Sequence, residues 1–140
     1  MSVTKNLHEA RRWWQTAHED FIAAQALNKE GLFSHACFQC QQSGEKAMKA
    51  LWFFVEADPW GHSIQKLVSE FPHPDWLKPR DQWLINAAFL DKYYIPTRYP
   101  NGLPDLTPAQ SYGAEDAKMA LERAYFLLEQ VRLLLPEKQP

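Results

Sequence analysis

Cysteine is nearly absent from this chain: Cys37 and Cys40 are the only two, so no disulfide framework can hold it together. Both fall inside an apolar helical pattern, where a reducing compartment would leave them as small core residues. As a C-x-x-C without a second cysteine pair or a suitably spaced histidine pair, they give no reason to expect a metal. No stretch approaches the length of apolar residues that a membrane span needs, and the first seven residues lack the apolar core and small-residue cleavage site of a signal peptide. A cytoplasmic protein without membrane contact is therefore expected. The net charge is only -2, so bulk attraction cannot draw nucleic acid to the surface, and any such ligand requires a local basic pocket. Gly-rich phosphate loops, G-x-S-x-G elbows and H-E-x-x-H pairs are all missing. No cofactor is implied.

What remains is helical periodicity. The 140 residues, 46% hydrophobic, suit one domain over 1–140. Leu7, Ala10, Trp14, Ala17, Phe21 and Ala24 recur at three and four, which predicts an amphipathic helix from Leu7 to about Lys29. Gly31 suits a left-handed stop. A second helix is expected from near Ser34 to about Ala57, where Asp58-Pro59 ends it, and the two should form an antiparallel hairpin. Ser63 is placed to cap a short third helix bearing Ile64, Leu67, Val68 and Phe71, before Pro72, Pro74 and Pro79 break the chain. A further helix is expected over roughly Asp81 to Tyr94. Prolines at 96, 100, 104 and 108 then forbid a helix, so the spacing predicts an extended loop from Ile95 to Pro108. The last helix carries Ala117, Ala120, Leu121, Ala124, Leu127, Leu128, Val131 and Leu134, with Thr107 or Ser111 as its cap. Strict strand alternation occurs nowhere. The expected fold is all-α, an up-and-down bundle of four main helices plus a short one, with a Pro-rich loop before the last helix.

The second helix is the informative one. Its apolar residues Cys37, Cys40, Ala47, Leu51, Phe54 and Val55 gather on one face, and opposite them a sector of roughly 60° holds Gln42, Glu45 and Lys49 between Phe38 and Trp52. Two large aromatics bracketing a polar row suggest a ligand or partner surface; the bland alternative is a helix-stabilising Glu45–Lys49 pair. The six tryptophans exceed what one small core easily encloses with each indole N–H satisfied, so several are expected at a dimer or partner interface.

Ala36-Cys37-Phe38-Gln39-Cys40-Gln41-Gln42 followed by Glu45-Lys46-Ala47-Met48-Lys49-Ala50 resembles the second-helix signature of HEPN domains. Gly61-His62-Ser63-Ile64, then Leu67, resembles the entry to that family's third helix, and Thr97-Arg98-Tyr99-Pro100-Asn101 resembles its segment before the last helix. Trp14, Asp20 and Ala24 sit where the family has an aromatic, an acid and a small residue. Each motif alone is weak, but the ordered set spans nearly the whole chain.

The resemblance implies a helical bundle, usually a homodimer, standing alone or encoded beside a minimal nucleotidyltransferase, in some cases as a toxin and antitoxin pair. Some members are metal-independent RNases that use an Arg and a His a few residues apart near the final helix. Here Arg98 supplies the Arg, but Leu103, Pro104 and Asp105 stand where the His would be. No catalytic residue is therefore assigned, and a noncatalytic module is expected. Arg11 and Arg12 with His18 satisfy the spacing but lie within the first helix, where outward charges are usually just solvated.

The candidate ligand-binding residues are Glu45, Lys49, His62, Arg98 and Tyr99. Arg98 and Lys49 would bring positive charge to a phosphate of a nucleotide or RNA, Tyr99 would stack on a base, and Glu45 would orient Arg98 or accept from a sugar. Phe38, Gln42 and Trp52 are the candidate interface residues. The structural alternatives are that Arg98 pairs with Glu45 or caps a helix end with Tyr99 beneath it, and that His62 is a buried donor to a carbonyl. Two other functions remain open: a ribonuclease using Arg98 with His62 as an unconventional base, or a module serving only interaction and dimerisation.

Overall fold

A computed structural model describes residues 3–137; residues 1–2 and 138–140 of the expected 1–140 domain lie outside the described residues. The described chain is all-helical: α1 (Val3–Lys29), α2 (Phe33–Phe54), α3 (Ile64–Ser69), α4 (Arg80–Asp91), α5 (Pro108–Ser111) and α6 (Ala114–Leu134). The four long helices form the bundle, with α1 packed most extensively on α2 and α2 next on α6. Leu7, Ala10, Ala17, Phe21 and Ala24 of α1 are buried, as their spacing predicts, and the run of alanines lets α1 approach α2 closely. Gly31 ends α1 with φ +78°, a conformation that costs a glycine nothing.

The boundaries differ from expectation in several places, the first being α1, which starts at Val3 and not Leu7. α2 stops at Phe54 rather than Ala57, because Glu56 enters the left-handed region (φ 58°) and the Ala57 N–H reaches back to Trp52 O at 2.9 Å, which closes the helix before Asp58-Pro59 is reached. α4 ends at Asp91, not Tyr94, and Tyr93 and Tyr94 continue as turns. The segment Ile95–Pro108 is not the extended loop that its prolines suggest. Arg98 and Tyr99 both donate backbone N–H groups to Ile95 O, and Pro100–Gly102 form a 3-10 turn. A proline removes a donor from a continuing helix but fixes φ where a single turn needs it, so Pro96, Pro100 and Pro108 each open a turn here, while Pro104 lies in a bend.

Ser63 caps α3 by accepting from Lys66 N, as predicted. Thr107 also acts as a cap, with Gln110 completing the box, but it caps the one-turn α5 rather than the last helix. α6 restarts at Ala114, where the Asp116 carboxylate accepts the Gly113 N–H at 2.8 Å; Ser111 is the last residue of α5 and caps nothing.

The core is one cluster drawn from all four long helices and α3. Cys37 and Cys40 belong to it, fully buried, and burial pushes the Cys37 thiol from an ordinary 9.0 up to about 12. The indoles of Trp13, Trp14 and Trp52 donate to a Glu9 carboxylate oxygen, Leu128 O and Leu67 O, whereas Trp83 is enclosed with its indole N–H unpartnered and Trp60 is 78% exposed.

At the centre stands Gly44. A Cβ there would lie 3.0 Å from the Cδ1 atoms of Ile64 and Leu90 and 3.1 Å from that of Leu127, so α3, α4 and α6 all converge on this one point of α2. Gly44→Val is expected to cost about 2 kcal/mol or more in urea unfolding by overpacking, whereas Gly44→Ala should cost less, because the gain of up to about 1 kcal/mol in helix propensity offsets part of the clash. Equal stability of Gly44→Val and the parent would contradict this packing.

Candidate functional site

The residue after Gly44 points about 100° away from it around α2, off the core and under the His62 and Tyr94–Tyr99 segments. Periodicity alone puts Glu45 on an open polar row; it is only 4% exposed. A buried carboxylate needs donors, and it has three: Lys49 Nζ at 2.9 Å and His62 Nδ1 at 3.2 Å from Oε2, and Gln41 Nε2 at 3.4 Å from Oε1. Gln41, also buried, ties the cluster further by donating to His62 O at 3.0 Å and accepting from Gln42 Nε2 at 2.8 Å. The helix-stabilising pair and the binding-site arrangement are thus the same contact, since Lys49 lies one turn from Glu45.

His62 is not the buried donor to a carbonyl. Its side chain is 59% exposed, Nδ1 faces the carboxylate, and its ring stacks on Tyr94 at 4.9 Å with 19° between planes. A carboxylate oxygen only accepts, so the Glu45 contact favours the ring hydrogen on Nδ1. The histidine is held there by Asp91 at the end of α4. Asp91 accepts the N–H groups of Ile64 at 2.7 Å and Gln65 at 2.9 Å and the Ser63 hydroxyl at 3.0 Å, which fixes the start of α3 immediately after His62.

Arg98 does not pair with Glu45. Its Nε donates to Tyr94 O at 2.9 Å, just beyond the end of α4, so the capping alternative describes its anchor. The guanidinium carbon lies 4.3 Å from the Phe38 ring, 4.7 Å from Tyr94 and 5.1 Å from Tyr99. Tyr99 has its ring against the guanidinium, as that alternative has it, yet stands 50% exposed. Rings fix a guanidinium without neutralising it, each contact contributing on the order of 0.5–2 kcal/mol. Thr97, buried next to it, bonds Tyr93 O and anchors this turn.

Phe38, Glu45, Lys49, His62 and Arg98 are thereby joined through one residue that the sequence did not single out, Tyr94, whose ring contacts both His62 and Arg98. Its signal was present: Tyr94 and Arg98 are four apart, the spacing of one turn. Trp52 lies farther along α2, against Phe71 and Leu67 O, so its indole is engaged within the bundle. Arg11, Arg12 and His18 form no site: Arg11 donates to Pro136 O, Arg12 pairs with Glu9, and His18 stacks on Trp14. Among the described residues no group of three or more His, Cys, Asp or Glu is placed to hold a metal, and no helix is long and apolar enough to cross a membrane.

The HEPN domain profile matches residues 10–134, which includes every residue of this cluster. The chain belongs to the HEPN domain family. Among solved structures this HEPN chain is similar to TT1696 from Thermus thermophilus, with 38% identity, a TM-score of 0.84, and coverage of 89% of this chain and 97% of that one. It is similar also to ST0689, an archaeal HEPN homologue, at 31% identity and a TM-score of 0.77, covering 91% and 98%. A curated relative is "Putative toxin MJ1304" of Methanocaldococcus jannaschii, 27% identical over 95% of this chain and 92% of that protein.

Because Glu45 and Lys49 are both largely enclosed, 5% and 13% exposed in their side chains, removing the acid strands a cation. Glu45→Ala is expected to lower unfolding free energy by about 2–3 kcal/mol, and Glu45→Gln, which keeps an acceptor for His62, by less. A Glu45→Gln variant as stable as the parent would show that the carboxylate's charge is not what the cluster uses.

Proposed function

We propose that this chain is a noncatalytic HEPN module that binds a nucleotide or the end of an RNA at the Arg98 cluster and works, as a cytoplasmic homodimer, with a separately encoded minimal nucleotidyltransferase in a toxin–antitoxin pair. The observation that carries the binding role is the state of Arg98: its Nε is anchored, its plane is held by rings, and no carboxylate pairs with it among the described residues. Such a cation is already ordered and lacks a counter-ion, which favours a bidentate phosphate contact. His62 stacks on Tyr94 next to it, with Lys49 behind on Glu45, and the exposed Tyr99 ring offers a face for a base. The toxin role is supported only by the name that the archaeal relative carries. Isothermal calorimetry should detect saturable binding of ATP, GTP or a short RNA, weakened at least about tenfold, roughly 1.4 kcal/mol, by Arg98→Ala. An absence of heat with all of these ligands would overturn the binding role.

One contact favours a ribonuclease instead. Glu45 orients His62 so that Nε2 is exposed as a base, the arrangement in which a buried acid fixes a catalytic histidine. With a phosphodiester on Arg98, His62 would take the 2′-hydroxyl proton, the 2′-oxygen would attack phosphorus, and the 5′-oxygen would leave with a proton from water. On this second reading, labelled RNA is cut in EDTA to a 2′,3′-cyclic phosphate and a 5′-hydroxyl end, with loss of cutting in both His62→Gln and Arg98→Ala. Intact RNA across the pH range would leave the module noncatalytic.

A further inference from the structure

Among the described residues, one set of cations is paired with carboxylates and another is seated on rings. Arg12, Lys46, Lys49 and Arg132 are each paired with a carboxylate. Those seated on aromatic rings among the described residues are Lys92, Arg98 and Arg123, and none of the three has a carboxylate partner. Lys92 Nζ and Arg123 Cζ share one ring, that of Phe89, at 5.0 and 4.8 Å. Arg123 is steadied by Asn86 Oδ1 at 3.3 Å. Of the acids close by in the chain, Asp91 is committed to the start of α3 and Asp116 to Gly113, while Glu122, beside Arg123, is exposed and forms no ion pair with it.

We propose that Phe89, Lys92 and Arg123 form a track for single-stranded RNA that extends the Arg98 site from one nucleotide to several; the proposal rests on the phosphate-binding role of Arg98 given above. Placement supports continuity. Lys92 is two residues from Tyr94, whose ring contacts Arg98, which limits the Cα separation of Lys92 and Tyr94 to about 7.6 Å, and Phe89 packs at 6.0 Å on Tyr93, the buried residue between them. Ile85 lies on the same stripe of α4 as Phe89 and Lys92, one turn back, and is 49% exposed, giving apolar surface for a base. Two unneutralised cations about one ring match a flexible polyanion whose bases are flat, whereas a folded acidic protein would have no use for the ring. A chain of net charge -2 repels bulk nucleic acid weakly, so such a strand must be held by this local row.

Fluorescence anisotropy with labelled uridine oligomers tests it, using a dinucleotide and a strand of roughly eight nucleotides. The longer strand should bind the parent at least about tenfold more tightly than the dinucleotide, with a salt dependence that falls by about 0.7 in log–log slope for each of Lys92→Gln and Arg123→Gln. Both variants should weaken the longer strand by about fivefold or more and leave the dinucleotide unchanged, while Arg98→Ala weakens both. Arg123→Lys, which keeps the charge, should restore most of the affinity, and Lys92→Gln removes no hydrogen bond of the fold, so a folding defect is separable. Equal affinity for the two lengths, or indifference of the longer strand to both Gln variants, overturns the track and leaves the Arg98 site intact. A longer strand that depends on Lys92 and Arg123 but not on Arg98 removes the Arg98 role and keeps the strip. Equal binding of a polyglutamate peptide of matched charge overturns the assignment to RNA.

Discussion

Two adjacent residues of α2 set the terms for everything around them. Gly44 provides the absence of a side chain that lets Ile64, Leu90 and Leu127 meet over one backbone position. Glu45, turned off that point, provides a charge that the interior must satisfy. The first requirement determines how closely α3, α4 and α6 can approach; the second determines which polar groups must be beneath the His62 and Tyr94 segments when they arrive. A buried carboxylate left without donors would cost more than most single contacts supply, so Lys49, His62 and Gln41 are needed by the fold whether or not a ligand is bound. The candidate site therefore grows from a structural necessity, and a ligand would meet groups that are already positioned.

The positioning continues outward through chain ends. Asp91 finishes α4 and opens α3, so the helix that delivers Tyr94 also fixes the residue after His62. Tyr94 offers its carbonyl to Arg98 and its ring to both Arg98 and His62. Termini, turns and one glycine do this work, and the long regular stretches of the bundle supply rigidity beneath.

Much of this was legible in the sequence. The 3.6-residue rhythm of Leu7 to Ala24, the left-handed stop at Gly31 and the Ser63 cap all rest on local rules, and the structure bears them out. The ordered motifs around Phe38, Glu45, Lys49, His62 and Arg98 marked residues that do share one side of the molecule. What local rules did not contain was who meets whom. Periodicity assigned Glu45 to an outward row because periodicity describes one helix at a time, and the segments that cover it come from elsewhere in the chain. Of the two partners open to Arg98 on paper, it takes the helix end and not the acid, because a guanidinium that already has a carbonyl and rings in reach gains little from a carboxylate already engaged by Lys49 and His62. Tyr94 was hidden by an overextended helix, and the turns of 95–108 by reading proline only as a breaker.

The back-to-back arrangement of Gly44 and Glu45 also bears on how this protein can diverge. A single residue inserted into or deleted from the middle of α2 would rotate all that follows by about 100°, moving a bulky side chain into the convergence point and the charge into the hydrocarbon interior at once. The turns between Gly102 and Thr107, exposed and bound to nothing deep, carry no such phase. Changes of length should therefore accumulate there across related sequences, with the helix beneath keeping its register to the residue.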